Sequence, residues 1–194
     1  MNEKQALRKQ VLSRRDALGA AERLSLSRKI TADVLALPSY QQATCVLAYS
    51  SIGSEFDTSG FVADARARAK KLVFPRAPVG TRMLELYAVC DLTRDLAAGV
   101  WGIREPRPDV CDPVPADEID FVLVPGVAFT SRCERLGYGK GFYDRLIGEL
   151  SRRPPLVAAA FELQIVPALP ISPTDQPVDL IITEESTFTR ESHI

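Results

Sequence analysis

A glycine-rich stretch between a predicted strand and a predicted helix constrains this chain more than any other part of its sequence. The stretch reads R-L-G-Y-G-K-G-F-Y-D-R over residues 135–145, and its three glycines occupy alternate positions. Alternate glycines let the backbone N–H groups turn inward together, and the helix that follows directs its positive end to the same place. Arg135 and Lys140 add full charges, and Asp144 adds a carboxylate that suits a hydrated divalent cation. The pattern predicts a binding site for a polyphosphate.

Two well-known nucleotide-binding loops do not fit this spacing. In a Walker A loop a Ser or Thr follows the lysine, whereas Gly141 follows Lys140 here. A dinucleotide-binding fingerprint places G-x-G-x-x-G directly after its strand, whereas here about sixteen residues separate the predicted strand from the predicted helix. A flexible turn with no ligand is the alternative interpretation of the glycines alone.

Strands alternate with helices along the rest of the chain. Helices are predicted at residues 3–18, 21–35, 58–70 and 142–150, and strands at residues 44–49, 71–75, 83–90, 119–125, 156–161 and 178–183. Short apolar runs are typical of parallel strands buried on both faces, while the alternating segment 83–90 suits an edge or antiparallel strand. We therefore expect an α/β fold, a three-layer sandwich with a mostly parallel central sheet, forming a Rossmann-like single domain over residues 1–194. Residues 92–117 and 184–194 are expected to be irregular.

Composition and charge exclude several classes of protein. The 194 residues are 46% hydrophobic and 25% charged, as in globular proteins, and the net charge of −1 argues against a nucleic-acid partner. The four cysteines form no C-x-x-C pair and His193 is the one histidine, so neither a zinc cluster nor a disulfide framework is predicted. The polar N-terminus and the lack of a bilayer-length apolar run predict a cytoplasmic protein with no membrane partner.

The first predicted helix carries a second candidate phosphate site. Asn2 and Gln5 form a capping box, and Lys4 and Arg8 lie one turn apart on one face of the helix that follows. Like charges at this spacing repel, and a cation in the first turn opposes the helix dipole, so a bound polyanion would relieve both costs. A solvated basic face is the alternative.

Two other residues lie where a ligand could contact them. Glu55 is in the polar loop after the strand at 44–49, where it could accept hydrogen bonds from ring N–H groups of a ligand or remain a solvated loop acid. Trp101 either stacks on a planar ligand or covers the core.

Segments spread over nearly the whole chain resemble the 5-formyltetrahydrofolate cyclo-ligase family, whose members are also called methenyltetrahydrofolate synthetases. In the family's order they are K-Q-A-L-R at 4–8, Y-S-S-I-G-S-E-F-D-T at 49–58, F-P-R at 74–76, W-G-I-R-E-P at 101–106, V-P-G-V-A-F at 124–129, the glycine-rich stretch, and S-P-T-D-Q-P-V-D-L-I-I-T-E at 172–184. The glycine-rich motif is specific in combination with the others and weak alone. Thr130 departs from the pattern, since an aspartate often follows V-A-F, and the lead-in at 131–134 is unusual; both concern the rigidity of the loop.

The resemblance implies an ATP- and Mg²⁺-dependent ring closure on a folate substrate. In the family, the γ-phosphoryl group of ATP goes to the N5-formyl oxygen, N10 attacks the activated carbon, and phosphate leaves as 5,10-methenyltetrahydrofolate forms. Phosphoryl transfer mainly needs positioning and charge neutralisation, so no Ser or Cys nucleophile is required.

By position, the resemblance also implies residue roles. Lys4 and Arg8 would contact ATP phosphates, Asp144 and Asp175 would hold Mg²⁺, and Ser50 and Glu55 would meet the pterin side of the folate. The nucleotide would be wrapped by Arg135, Leu136, Gly137, Tyr138, Gly139, Lys140, Gly141, Phe142 and Tyr143, of which Tyr138 to Phe142 would also bind the substrate near its formyl group. The candidate catalytic residues are Arg135, Lys140 and Tyr143.

Two other functions fit the same residues. A paralogue could keep the ATP site and activate a different amide or carboxylate, and a non-catalytic protein could bind folate or nucleotide without turnover. Glu55 and the complete glycine-rich stretch favour catalysis over both. We expect a monomer or a weak homo-oligomer whose partner is a small-molecule folate.

Overall fold

The computed structural model of the protein describes residues 2–99 and 102–191. The helices are α1 (Glu3–Asp16), α2 (Ala20–Ala36), α3 (Pro38–Gln42), α4 (Ser59–Ala67) and α5 (Phe142–Glu149). The strands are β1 (Cys45–Leu47), β2 (Lys71–Arg76), β3 (Glu85–Ala88), β4 (Leu96–Ala98), β5 (Arg104–Pro106), β6 (Phe121–Leu123), β7 (Ala128–Phe129), β8 (Arg135–Leu136), β9 (Leu156–Ala159), β10 (Leu180–Ile182) and β11 (Thr187–Thr189). Within the described residues, seven strands form the central sheet, and β4–β5 and β7–β8 form two separate hairpins.

The central sheet is mostly parallel, as predicted. Strands β10, β9, β6, β1 and β2 lie side by side and parallel, and β11 and β3 add an antiparallel strand at each edge. Numbered among themselves, the parallel strands have the order 2-1-3-4-5, which reverses between β1 and β6. In open sheets of this kind, ligands bind beyond the carboxyl ends of the strands at the reversal. The segments that leave β1 and β6 therefore flank the expected ligand site.

Helices cover both faces of the sheet because alternate residues of each strand point to opposite sides. In β1, Val46 packs in the core cluster that contains residues of α2, α3 and α4, whereas Cys45 and Leu47 pack in the cluster that contains residues of α5. Every residue of β1 and of β6 is buried, which explains why these strands read as continuous apolar runs. The expectation of a three-layer α/β sandwich is confirmed.

Helix α1 packs on hairpin β7–β8. Its fully buried Val11 belongs to a small cluster with Val127, Ala128, Leu136 and Val166. The predicted capping box is present: the Asn2 side chain accepts from the N–H of Gln5, and the Gln5 side chain accepts from the N–H of Asn2. The packing brings the basic first turns of α1 to the strand that leads into the glycine-rich stretch.

Two segments that were expected to be irregular contain strands. Within 92–117, Leu96–Ala98 pairs with Arg104–Pro106, and in the tail Thr187–Thr189 extends the sheet alongside β10. Both predictions were wrong. In the hairpin, pairing with a partner strand outweighs the low strand propensity of Ala and Pro, whereas Thr187–Thr189 has residues that favour strands, a signal that the prediction missed. Trp101 and His193 lie outside the described residues.

The described residues also bear on thiol chemistry and on membrane insertion. Cys45, Cys111 and Cys133 are buried free thiols, and Cys90 is an exposed one. Within residues 2–99 and 102–191, no helix combines the length and the apolar character that crossing a bilayer would require.

Candidate functional site

A cleft of about 1120 Å³ lies beyond the carboxyl ends of β1 and β6. Every residue predicted for the site lines it: Lys4, Arg8, Ser50, Glu55, each residue from Arg135 to Tyr143, Asp144 and Asp175. Pockets for one small molecule usually enclose about 300–1000 Å³, so this cleft lies just above the upper end of that range. The structure thus brings the predicted residues together along one cleft, and their roles stay predictions.

The glycine loop, defined as residues 137–141, joins β8 to α5. Gly139 has a φ of +100° and Gly141 a φ of +69°, and Gly141 is the residue that precedes α5. These φ values favour glycine, because a Cβ would collide with the backbone. Arg135 and Leu136, which were predicted to belong to the loop, are instead in strand β8. The side chain of Leu136 packs against α1, so this residue anchors the loop.

Thr130 closes the turn between β7 and β8. Its hydroxyl donates to Glu134 Oε2 at 2.8 Å, and its N–H donates to the Glu134 carbonyl at 3.1 Å. Cys133, with a φ of +64°, donates its N–H to the Thr130 carbonyl at 2.9 Å. Thr130 is only 1% exposed, so water does not compete for these bonds. The threonine that departs from the family pattern thus closes a well-bonded turn.

The two cations of α1 that were predicted to contact phosphates, Lys4 and Arg8, face the cleft and are already engaged there. Arg8 Nε donates to the Gly137 carbonyl at 2.7 Å, and Lys4 Nζ donates to Asp175 Oδ2 at 2.5 Å. Arg8 therefore holds the first residue of the glycine loop, and Lys4 holds the turn before β10. The interpretation of this helix face as a merely solvated basic surface is wrong.

Arg135 forms a buried ion pair with Asp144. Arg135 is 5% exposed, and its Nη2 donates to Asp144 Oδ1 at 2.5 Å. Burial lowers the pKa of the Arg135 guanidinium, and the charge of Asp144 opposes that effect. Within the described residues, Arg135 Nε and the Tyr143 hydroxyl are buried polar atoms with no hydrogen-bond partner. An unsatisfied buried group costs about 1–3 kcal/mol, so both atoms mark positions where a ligand atom would be stabilised.

The two aspartates predicted to hold Mg²⁺ lie against the same segment. The N–H of Gln176 donates to Asp144 Oδ1 at 3.0 Å, and the adjacent Asp175 accepts from the N–H of Ser172 at 2.7 Å. Burial would raise the pKa of Asp175, but hydrogen bonds from Lys4 and Ser172 bring that pKa below its usual value. Asp175 is thus both a turn residue and a cleft residue.

The carboxylates of Asp144 and Asp175 suit a metal site completed by phosphate and water better than a preformed site made of protein ligands. In the part of the chain that the structure describes, no three His, Cys, Asp or Glu side chains converge as a preformed metal centre. Mg²⁺ keeps several waters and takes one or two carboxylates when phosphate oxygens complete its shell. Asp144 and Asp175, beside a predicted phosphate site, match the second arrangement.

Glu55 is buried, so the interpretation as a solvated loop acid is wrong. It is 7% exposed, and its two carboxylate oxygens accept from the Tyr138 hydroxyl at 2.5 Å and from the N–H of Ile52 at 2.9 Å. Burial raises the pKa of Glu55, against the effect of these two hydrogen bonds and of the nearby charge of Arg15. A carboxylate offers about four acceptor positions, so Glu55 retains capacity for two further N–H donors.

Ser50 joins the loop after β1 to hairpin β4–β5. Its hydroxyl donates to the Arg104 carbonyl at 2.7 Å, and it lines the cleft beside Glu55. The hydroxyl oxygen can still accept a hydrogen bond from a ligand.

Three residues near the cleft were missed from the sequence. Tyr49 and Glu105 line the cleft and are 7% and 8% exposed, and Arg15 is buried behind Tyr138. At about 100° per residue, Lys4, Arg8 and Arg15 fall within roughly 40° of one another around α1. That periodicity was a usable signal for Arg15, whereas Tyr49 resembled an ordinary core residue.

Comparison with known proteins gives a consistent result. The model of the 5-formyltetrahydrofolate cyclo-ligase family matches residues 1–184. A protein of Schizosaccharomyces pombe named probable 5-formyltetrahydrofolate cyclo-ligase is 30% identical over 177 residues, covering 84% of this chain and 86% of its own. The solved 5,10-methenyltetrahydrofolate synthetase of Aquifex aeolicus superposes with a TM-score of 0.85 at 33% identity, covering 98% of this chain and 94% of its own. That of Mycoplasma pneumoniae gives 0.77 at 27% identity, with coverages of 95% and 100%.

Proposed function

This chain belongs to the 5-formyltetrahydrofolate cyclo-ligase family, and on that premise we propose that it converts 5-formyltetrahydrofolate to 5,10-methenyltetrahydrofolate. The reaction consumes ATP with Mg²⁺ and releases ADP and phosphate. The observation that carries the proposal is one cleft, at the reversal point of the sheet, that holds both the glycine loop with its cations and the buried Glu55 carboxylate. A ligase that joins phosphoryl transfer to ring closure needs both sets of groups within reach of one substrate atom.

The phosphate side of the cleft is formed by α1, β8 and the glycine loop. Lys4, Arg8 and Lys140 supply positive charge at its edge, and Arg135 supplies an unpartnered Nε from below. Backbone N–H groups of a loop with positive-φ glycines can approach phosphate oxygens closely. Asp144 and Asp175 would hold Mg²⁺, which would supply charge neutralisation for phosphoryl transfer.

Both aspartates are paired with a predicted phosphate-binding cation before ligands bind. Lys4 pairs with Asp175 and Arg135 with Asp144, each at 2.5 Å. A phosphate group would offer the cations new partners and leave each carboxylate able to face a metal ion. The ion pairs thus keep four charged groups close to the cleft while no net charge is left uncompensated.

The folate side of the cleft is formed by the loop after β1 and by Tyr143. Glu55 orients the pterin through ring N–H groups, for which two acceptor positions remain. Burial raises the pKa of Tyr143, so its hydroxyl stays protonated and can donate. A buried hydrogen-bond donor beside the phosphate site is suited to contact the formyl oxygen. This is the atom that accepts the phosphoryl group, so its charge changes during the reaction.

The test is a spectroscopic assay for the methenyl product with each reactant omitted in turn. The proposal requires product only when ATP, Mg²⁺ and 5-formyltetrahydrofolate are all present. ATP hydrolysis stimulated by a different amide or carboxylate would favour the paralogue, and ligand binding without turnover would favour a non-catalytic protein.

With free thiols and no predicted partner beyond the folate, we place this activity in the cytoplasm and in a monomer or weak homo-oligomer.

A further inference from the structure

A buried arginine joins the two sides of the cleft. Arg15, on α1, is 3% exposed; its Nε donates to Ser54 Oγ at 3.0 Å and its Nη2 donates to the Tyr138 hydroxyl at 2.8 Å. The Tyr138 hydroxyl in turn donates to Glu55 Oε1 at 2.5 Å. Helix α1, the loop after β1 and the glycine loop therefore meet through one guanidinium group.

The direction of these hydrogen bonds determines what each group can do. A guanidinium only donates, so the Tyr138 oxygen accepts from Arg15 and the Tyr138 proton points to Glu55. Tyr138 is 42% exposed, so packing alone does not fix its ring. The two bonds at its hydroxyl fix both the middle of the glycine loop and one oxygen of the folate-side carboxylate.

If Arg15 only stabilised the fold, a charged side chain would be an unfavourable choice at this buried position. A buried charge loses hydration, and an apolar side chain of similar volume often stabilises a fold better. Arg15 makes no direct ion pair with a carboxylate among the described residues; its partners are the two hydroxyls of Ser54 and Tyr138. The geometry it fixes concerns the cleft, not the core of the sheet.

Building on the proposed function, we propose that Arg15 is a positioning residue that holds Tyr138 and Glu55 as one unit. The glycine loop is thereby set at the phosphate side while Glu55 is oriented at the folate side.

The first test measures loop order without any turnover. Arg15→Met removes the donors and the charge but keeps most of the volume; Arg14→Met removes an exposed charge from the same turn of α1 and is the matched control. Amide hydrogen exchange of a peptide spanning residues 137–141 should be faster in Arg15→Met than in the wild type and unchanged in Arg14→Met. Equal exchange in all three proteins would overturn the proposal. If Arg15→Met fails to fold, Tyr138→Phe removes the same link at an exposed side chain and must show the same increase.

The second test separates positioning from a general loss of stability. Losing a charge-assisted hydrogen bond should raise the KM for 5-formyltetrahydrofolate about tenfold in Arg15→Met. The same substitution in a Tyr138→Phe background should raise the KM less than it does in the wild type, because the bond between Arg15 and Tyr138 is already absent and only the bond to Ser54 is still lost. Arg15→Lys, which keeps the charge but cannot reach both hydroxyls, should fall between. A lower melting temperature and lower kcat with unchanged KM would mean that Arg15 is merely structural.

The pH profile gives an independent readout. Glu55 is faced by the charge of Arg15 and by the hydroxyl-bearing side chains of Tyr138, Tyr49 and Tyr143. Burial raises the pKa of Glu55 and the charge of Arg15 lowers it, so Arg15→Met should move the acidic limb of kcat/KM for the folate to higher pH. An unmoved limb would contradict the proposal. If the wild type forms no methenyl product, the proposed function fails, and hydrogen exchange still decides the role of Arg15.

Discussion

One added carbon atom at Gly139 tests the phosphate side of the cleft. Gly139 has a φ of +100°, and a Cβ there would lie 3.2 Å from Cζ of Arg8 and 3.3 and 3.4 Å from its two terminal nitrogens. Gly139→Ala therefore strains the backbone by about 1–3 kcal/mol and also displaces Arg8. The hydrogen bond from Arg8 to the Gly137 carbonyl, 2.7 Å long, is lost or weakened. A charge-assisted bond contributes about 1.5–3 kcal/mol, so kcat/KM for ATP should fall roughly ten- to a hundredfold.

Gly80 provides the matched control for this prediction. Its φ is +84°, and nothing lies within 4 Å of an added Cβ. Gly80→Ala should therefore show the effect of backbone strain alone: its melting temperature should fall less than that of Gly139→Ala, and its ATP use should stay at the wild-type level. Steady-state kinetics with varied ATP and thermal unfolding of both variants would compare them. Undiminished ATP use in Gly139→Ala, or equal kinetic losses in both variants, would refute the placement of Arg8 at the phosphates. Gly139→Val, which is β-branched as well, should abolish turnover.

Three further predictions follow from the charged groups and the thiols. Lys140→Ala should raise the KM for ATP about tenfold and leave the Kd of the folate almost unchanged, and an unchanged KM for ATP would contradict its phosphate contact. Asp144→Asn and Asp175→Asn should each lower the rate of turnover, and added Mg²⁺ should restore part of it. The double mutant should lose less activity than the product of the two single losses. Losses of activity that multiply, with no rescue by Mg²⁺, would exclude a shared ion. Asp144→Asn should also lower the melting temperature, because Arg135 is left buried without its ion-pair partner. Near neutral pH a thiol reagent should modify Cys90 alone in the folded protein, because burial raises the pKa of the other three thiols; rapid modification of all four would contradict this.

The parallel strands were predictable because burial on both faces leaves a pattern that is local in sequence. Val46 and Val122, for example, lie within apolar runs that no exposed strand would carry. Strand β11 left no such run, since it has only three residues and both Thr187 and Thr189 are exposed; it is defined by its pairing with β10. Edge pairing is a tertiary property, and single-sequence propensity does not report it.

The residues of the site were predictable from chemistry and resemblance, whereas their contacts were not. Each of three site features has a local signal in the sequence. The glycine loop has a free backbone, Lys4 is a charge that opposes the helix dipole, and Glu55 is an acid that follows a buried strand. The ion pair between Lys4 and Asp175 joins residues 171 positions apart, and no local pattern encodes it. The burial of Arg15 behind Tyr138 likewise depends on how α1 docks on hairpin β7–β8.

The fate of the formyl oxygen tests the proposed chemistry most directly. If ATP activates the formyl group within this cleft, the oxygen of 5-formyltetrahydrofolate leaves as part of inorganic phosphate. Substrate labelled with ¹⁸O in the formyl group should therefore give ¹⁸O-labelled phosphate, one labelled atom for each methenyl product formed, as measured by mass spectrometry. Unlabelled phosphate, with the label released to water, would show that the formyl oxygen is not phosphorylated and would contradict the proposed function.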